Sequence, residues 1–395
     1  MEKTIYLNRP RRGQPRAGHP WIYASQVERT EGDPAPGDLV RVRSGKALVG
    51  TGYFNPQSQI RVRLIARGDA HVDLAFLKKR LEGAAAFRAR WVRDTNAMRL
   101  VSSEADGLPG LIIDRYGEVL VIQLLTLGME KLRPLLLEAI EAVFPSKGIY
   151  EKSDSSSRRI EGLEERVGWV RQDCGGDVTI VEGGVKFSMR FEEGHKTGFY
   201  LDQRENRLAL AAMDLKGDAL DAFCYEGGFG IHLARAGMRV LGIDIQPDTV
   251  ARAEANRKLN GLTEAQIVFR AANVFDELKA LEKESRRFDL VILDPPSFVK
   301  KKAALEGALA GYKEILLRGM RLTKEGGLLA VFSCSYHVDE NLLMQTSMEA
   351  AHDTRRSLRL MRFLKQSSDH PIDPFVPETY YLKGFLFSVG PSDIQ

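Results

Sequence analysis

Two short strings in the C-terminal half hold side chains that could do chemistry together: Asp294-Pro-Pro-Ser-Phe298, opening on a carboxylate, and Ser333-Cys-Ser335, centred on a thiol. Pro295 and Pro296 lack N–H donors, so the carbonyls of this turn and the Asp294 carboxylate are left to accept from a planar, amino-bearing ring, on which Phe298 can stack. The thiol decides which atom of such a ring reacts. An exocyclic nitrogen carries its own lone pair, whereas C5 of a pyrimidine becomes nucleophilic only after a thiolate has added to C6. Spacing alone leaves both chemistries open, and a buried cysteine is often no more than a small apolar residue. An ordinary thiol has a pKa of about 8.5, so its proton must be removed or its pKa lowered, and the sequence does not point to the group that does so.

A third string, Cys224-Tyr-Glu-Gly-Gly-Phe-Gly230, is a tight glycine turn between the short apolar run Asp218–Phe223 and a helix beginning at Ile231. A strand, glycine loop and helix in this order hold a ligand at the helix N-terminus. The next apolar run, Arg239–Asp244, ends on an acid roughly 20 residues further on, where such folds present a carboxylate to ribose hydroxyls. The turn differs from a dinucleotide loop in carrying Glu226, which would repel a pyrophosphate and favour a cation. S-adenosylmethionine has no phosphate, carries a sulfonium and an α-ammonium, and keeps both ribose hydroxyls. Asp221, Glu226 and Asp244 therefore suit that donor, and the chemistry is methyl transfer.

These residues need a doubly wound α/β sheet to bring them together, because such sheets bind ligands outside the carboxyl ends of their strands. A helix is expected from Pro247 to Asn260, with Pro in its first turn and Asn-Gly at its end. Strands are expected at Gln266–Ala271, Phe288–Leu293 and Gly327–Phe332, with helices around Tyr312–Leu322 and Glu340–Ala351. Ser357–Phe363 and Tyr380–Val389 complete a seven-stranded sheet with an antiparallel edge strand. If the strands before Asp294 and Cys334 are neighbours, the two residues face one crevice. Asn273, at a strand end, is placed for an adenine edge. Upstream, Gly194–Arg207 is dense in polar and aromatic groups and leads directly into the first strand, which places Phe199, Tyr200 and Gln203 over the methyl donor.

The first part of the chain reads differently. Residues 1–69 hold twelve Lys and Arg against six Asp and Glu, a surplus of six, which leaves −2 for the remainder of a chain whose net charge is +4. Arg9, Arg11, Arg12 and Arg16 form a basic arm, and His19-Pro-Trp-Ile-Tyr23 a compact aromatic group. The runs Leu39–Arg43, Ala47–Tyr53 and Ile60–Ile65 alternate apolar and basic residues at hairpin spacing. Arg41, Arg43, Arg61 and Arg63 then share an exposed face over a core of Val40, Val42, Ile60, Val62 and Leu64. The result is a small β-barrel with a cationic face, suited to an RNA backbone. Residues 70–192 read as an α+β domain: a helix from His71 to about Ala97, strands at Leu111–Arg115 and Val119–Leu125, a helix from Lys131 to Phe144, and further strands over 148–191. Glu151–Arg159 is expected as a solvated loop from which Arg158 and Arg159 can reach RNA.

With 395 residues, two or three domains are expected. No apolar run approaches the roughly 20 residues of a membrane span, nor is there the apolar core of a signal peptide, so a cytoplasmic location is expected. Three cysteines are too few for a disulfide framework and are not spaced as metal ligands.

Taken together, the chain resembles the bacterial class I 23S rRNA (cytosine-5) methyltransferase family with an N-terminal PUA domain, the RlmI-like group. The resemblance rests on His19-Pro-Trp-Ile-Tyr23, Ser58-Gln-Ile-Arg-Val-Arg63, Glu104-Ala-Asp-Gly-Leu-Pro-Gly-Leu-Ile-Ile-Asp114, Lys196-Thr-Gly-Phe-Tyr-Leu-Asp-Gln-Arg204, Asp294-Pro-Pro-Ser-Phe298 and Ser333-Cys-Ser335. It implies a Rossmann-like seven-stranded methyltransferase domain over 193–395, preceded by the PUA-like RNA-binding barrel (1–69) and the α+β middle domain (70–192). Cys334 would be the nucleophile and Asp294 would orient the cytosine. The donor would be held by Phe199, Tyr200, Gln203, Asp221, Phe223, Tyr225, Glu226, Gly227, Asp244, Ile245, Asn273, Val274 and Asp294, and the substrate by Pro295, Pro296, Phe298 and the four arginines. The implied cofactor is S-adenosyl-L-methionine and the implied partner is large-subunit ribosomal RNA; a homodimer is compatible with the reading, and no membrane or metal is expected. Another branch of RNA cytosine-5 methyltransferases has a second cysteine beside the proline motif. Ser297 stands here instead, so product release needs another base. The competing readings are an RNA N-methyltransferase acting on an exocyclic base amine, for which Asp294-Pro-Pro296 suffices, a non-catalytic RNA-binding protein retaining the fold, and a small-molecule methyltransferase, which the basic first domain disfavours.

Overall fold

The computed structural model describes residues 2–8, 18–175, 177–191, 197–298 and 305–391. The arginines of the basic arm between Arg9 and Arg16, together with Lys196, lie outside these residues. Backbone contacts divide the chain into two units, one of Met1–Ile180, Met189–Leu201 and Ser368–Thr379, the other of Val181–Ser188, Asp202–Ser367 and Tyr380–Gln395.

In the first unit, a six-stranded sheet runs in the order Trp21–Tyr23, Ile60–Arg67, Ala47–Phe54, Leu39–Ser44, Thr4–Leu7, Val27–Glu31. Val40, Val42, Val62 and Leu64 are buried, as the alternation of these strands requires. A second sheet of five strands spans Ala97–Ser102, Leu111–Tyr116, Val119–Leu124, Gly148–Ser153 and Arg166–Arg171, with the helices Leu74–Trp91 and Arg133–Val143 in the same core. Asp73 caps the first of these helices by accepting from Phe76 N. Tyr53, from the first sheet, is buried in the core of the second, and a Cβ at Gly128 would fall 2.0 Å from its ring. Only glycine lets the short helix Leu127–Lys131 approach so closely.

The expected solvated loop at Glu151–Arg159 is a correction. Glu151, Lys152 and Ser153 are buried strand residues, and Ser156–Ile160 is a short helix. Arg158 is buried, donating to Leu124 O at 2.5 Å, Glu164 O at 2.6 Å and Glu130 at 2.9 Å. Its guanidinium joins elements of one core and is not offered to RNA.

The second unit is a seven-stranded sheet whose strands are labelled β1 (Asp218–Ala222), β2 (Arg239–Asp244), β3 (Ile267–Ala271), β4 (Phe288–Leu293), β5 (Thr323–Ser333), β6 (Arg356–Lys365) and β7 (Lys383–Pro391). Its helices are α1 (Arg204–Ala211), α2 (Gly228–Arg235), α3 (Pro247–Leu259), α4 (Val274–Lys283), α5 (Leu305–Leu322) and α6 (Glu340–Thr354). The sheet order is β3-β2-β1-β4-β5-β7-β6. The first five strands are parallel, and β7 lies antiparallel to both β5 and β6. The antiparallel strand is thus inserted between β5 and β6; the edge itself is β6. Its position follows from burial: Phe385, Leu386, Phe387 and Val389 of β7 are buried, whereas Met361 and Phe363 of β6 are exposed. Leu220, Ile243, Val291, Leu293, Leu329 and Val331 are near-continuous apolar runs buried beneath α4, α5 and α6, as strands covered on both faces must be. Each such side chain contributes about 1.5–3 kcal/mol by leaving water.

Candidate active site

The carboxyl ends of β1, β2, β4 and β5 carry the residues of interest. Between β1 and α2 the backbone turns through three left-handed residues, Phe223 (φ 65°), Tyr225 (φ 50°) and Gly227 (φ 83°). Two of them are not glycine, a conformation that costs energy and gathers at functional loops. A Cβ at Gly227 would stand 2.6 Å from the Phe269 ring. Asp244 holds the turn from β2, accepting from Tyr225 N at 3.0 Å and Gln246 N at 3.1 Å. Ile245, next in the chain, is 56% exposed.

Asp221 is fully buried at the end of β1. Its Oδ2 accepts from Gly230 N at 2.8 Å, and its Oδ1 has no hydrogen-bond partner among the described residues. Burial raises its pKa to about 7, against the Gly230 bond, and the charges of Asp294 and Asp244 push the same way. A buried acceptor without a donor, among three carboxylates, calls for a cationic ligand that can donate. The α-ammonium of S-adenosylmethionine meets that need, and Asp244 keeps acceptor capacity for ribose hydroxyls. The residues therefore fit that cofactor.

Several of the expected residues have protein partners of their own. Glu226 is 1% exposed and lies on Arg252, whose Nε donates at 2.7 Å, while Asn256 donates to its carbonyl at 3.2 Å. Through Oε1 its carboxylate braces the turn from within. Asn273 caps α4, its side-chain oxygen accepting from Phe275 N at 3.0 Å and Asp276 N at 3.4 Å, and Val274 is buried in the sheet core. Phe199 and Tyr200 fall in the first unit, where Phe199 N donates to the Tyr116 hydroxyl at 3.2 Å.

Asp294 follows β4 and Cys334 follows β5, and these strands are neighbours with Leu293 opposite Val331. The crevice expected from the two motifs has this basis. Gln203 reaches Asp294 from the turn before α1, its Nε2 donating to Oδ2 at 3.0 Å, and Asn206 fixes the Gln203 amide by donating to its oxygen at 2.6 Å. Pro295 is buried and Pro296 exposed. Phe298 is half-buried against Tyr312 (centroids 4.9 Å) and Phe275 (6.0 Å), so its ring walls the site more than it stands free to stack.

Cys334 is partly exposed, between Ser333 and Ser335, which are buried. Tyr312 of α5 donates to Ser333 Oγ at 2.9 Å, Ser335 N donates to the same oxygen at 3.3 Å, and Lys383 Nζ donates to Ser335 O at 3.1 Å. Burial pushes the Tyr312 hydroxyl well up, and Cys334 and Asp294 add to it, so it remains a donor. Cys224 differs: it is buried under the glycine turn, where burial, Asp221 and Asp244 push its thiol well up, leaving it an apolar filler.

Sequence reasoning missed three supports. Lys383 was hidden in an apolar strand, where a lone lysine was the available signal. Tyr312 was legible only as the start of a helix. Glu182, Arg207 and His232 form a buried cluster under α1 and α2, with Arg207 bidentate to Glu182 at 2.6 Å and His232 Nε2 at 3.0 Å. Burial works to raise the Glu182 pKa, but Arg207 and His232 prevail and hold it at about 2.

The four arginines of the first unit are also not one open stripe. Arg41 pairs with Asp69 and Glu2, Arg43 donates to Lys46 O, and Arg61 to the carbonyls of Asn55 and Pro56. Arg63 corrects the expectation of an exposed face: its side chain is 13% exposed, bridging Glu104 at 3.1 Å and Glu161 at 3.3 Å. Trp21 Nε1 donates to the same Glu104 at 2.8 Å.

Comparison with known proteins accounts for both units. A PUA-like domain matches residues 5–67 and an S-adenosylmethionine-dependent methyltransferase domain residues 162–388. Ribosomal RNA large subunit methyltransferase I of Aeromonas hydrophila is 38% identical over 394 residues, covering 98% of this chain and 99% of that protein. The Vibrio cholerae protein of the same name is 39% identical over 397 residues, covering 98% and 100%. Among solved structures, a methyltransferase complexed with SAH superposes with a TM-score of 0.80 at 20% identity, over 94% of this chain and 96% of the other. An S-adenosylmethionine-dependent methyltransferase from Streptococcus mutans gives 0.77 at 22% identity, over 90% and 92%. At such identities these two speak for the fold alone. The chain belongs to the ribosomal RNA large subunit methyltransferase I family, S-adenosylmethionine-dependent enzymes with an N-terminal PUA-like domain.

Proposed function

We propose that this protein methylates large-subunit ribosomal RNA, and that the atom methylated is C5 of a cytosine. The observation carrying the second part is the placement of Cys334 and Asp294 at the carboxyl ends of adjacent parallel strands. Bound S-adenosylmethionine supplies an electrophilic methyl group. Asp221 and Asp244 hold its ammonium and ribose ends. Asp294, aimed by Gln203, accepts from the exocyclic amine of the cytosine. The Cys334 thiolate adds to C6, which makes C5 a carbon nucleophile toward the methyl group; a base then takes the C5 proton and the C6–S bond breaks. The relatives named for ribosomal RNA support the substrate class, and the basic PUA-like part supplies a route to its backbone.

The test is denaturing-gel trapping on RNA containing 5-fluorocytosine, whose C5 has no proton to lose. An adduct that forms with S-adenosylmethionine and vanishes in Cys334→Ala is the expected result. Methyl transfer to natural RNA without any adduct, with the methyl group mapped to an exocyclic amine, would replace this chemistry by nitrogen methylation.

A further inference from the structure

We propose that Lys383 is the positioning residue for the Cys334 nucleophile: its ammonium pins the turn that carries the thiol and supplies the positive charge that favours the thiolate. This rests on the reading of Cys334 as nucleophile and names the group that reading lacked.

Lys383 opens β7 directly opposite Ser333 of β5 and is only 4% exposed. Its Nζ donates to Ser335 O at 3.1 Å and Tyr381 O at 3.2 Å, which ties the ammonium to the residue after Cys334. A lysine is seldom buried on neutral carbonyls alone, because its charge needs a counter-charge nearby. Burial is the larger effect and lowers the amine's pKa, while Cys334, Asp339 and Glu340 act against it and supply the counter-charge. The Tyr380 ring covers the ammonium at 5.7 Å. On the other side, the Tyr312 hydroxyl of α5 is held protonated by burial first, with Cys334 and Asp294 adding to the effect, so it is a neutral donor. His337 lies in the same loop, and Lys365 of β6 pairs with Lys383 across the sheet but is exposed. Lys383 is the buried cation of this set, bonded to the residue next to the thiol, and a neighbouring positive charge lowers a thiol pKa.

The experiment needs no RNA: the full-length protein is alkylated with iodoacetamide between pH 5 and pH 10, and modification of the Cys334 peptide is followed by mass spectrometry. In the wild type the Cys334 midpoint is expected below the ordinary thiol value of about 8.5. Lys383→Met is expected to move it up and slow alkylation at pH 7 about tenfold, and Lys383→Arg to keep most of the rate. A wild-type midpoint at the ordinary value overturns the proposal, whether or not the variants fold, as does a midpoint that Lys383→Met leaves in place. Trapping on 5-fluorocytosine RNA separates the two readings. An adduct with an unshifted thiol removes the role of Lys383 alone, and a lowered midpoint without an adduct removes the carbon chemistry alone.

Discussion

Replacing Asp221 by Asn changes one buried atom and should make the protein more stable while impairing it as an enzyme. The folded protein holds the Asp221 proton up to about pH 7, against an ordinary carboxyl value of 3.8, because burial opposes the charge and Asp294 and Asp244 add repulsion. The folded state therefore binds more protons than the unfolded state between those values. Stability contributed by this group is full below about pH 4, falls as pH rises, and is level above about pH 7. At about 1.4 kcal/mol per pH unit, the gap corresponds to about 4 kcal/mol of strain in the ligand-free protein at pH 8. Asn keeps an acceptor for Gly230 N and carries no charge, so its gain over wild type should grow from near zero at pH 4 to about 4 kcal/mol at pH 8. Urea unfolding of both proteins across that range, without cofactor, measures it. Calorimetry should show S-adenosylmethionine affinity in the wild type rising to about pH 7 and then levelling, and dropping more than tenfold in the variant. A stability difference that does not change with pH would refute the reasoning.

Four further substitutions probe the supports of the site and the first unit. Arg207→Met leaves the Glu182 carboxylate buried against His232 alone, and should cost about 3–5 kcal/mol in denaturant unfolding at pH 7. Gly227→Ala puts a methyl 2.6 Å from the Phe269 ring in a left-handed residue, and calorimetry should show at least tenfold weaker cofactor binding. Arg158→Ala removes a buried guanidinium that joins Leu124, Glu130 and Glu164, so it should destabilise by about 3 kcal/mol and leave the salt dependence of RNA binding unchanged, whereas Arg43→Ala should lower that salt slope by about one.

Local signals carried a good deal of the fold. Pro247 and Asn260 bound α3 within a residue of expectation, and the apolar runs Arg239–Asp244 and Phe288–Leu293 are strands with the expected ends. These are decided by turn chemistry and by periodicity within a few residues. The strand-end motifs were legible for the same reason: in a doubly wound sheet, the residue after an apolar run sits at the ligand-binding rim.

What a charged or aromatic side chain does was not legible, because that depends on partners distant in sequence. Arg63 and Glu161 stand 98 residues apart, Arg158 and Glu130 28, Gln203 and Asp294 91, and Lys383 and Ser335 48. Read alone, Arg63 and Arg158 were cations for RNA; in the fold each is neutralised inside it. The amino-acid order by itself determined which strands exist and which residues end them. Only the tertiary structure, by setting β7 between β5 and β6 and so pairing Lys383 with Ser333, decided which charges face one another, since electrostatic effects follow distance and burial in space rather than along the chain.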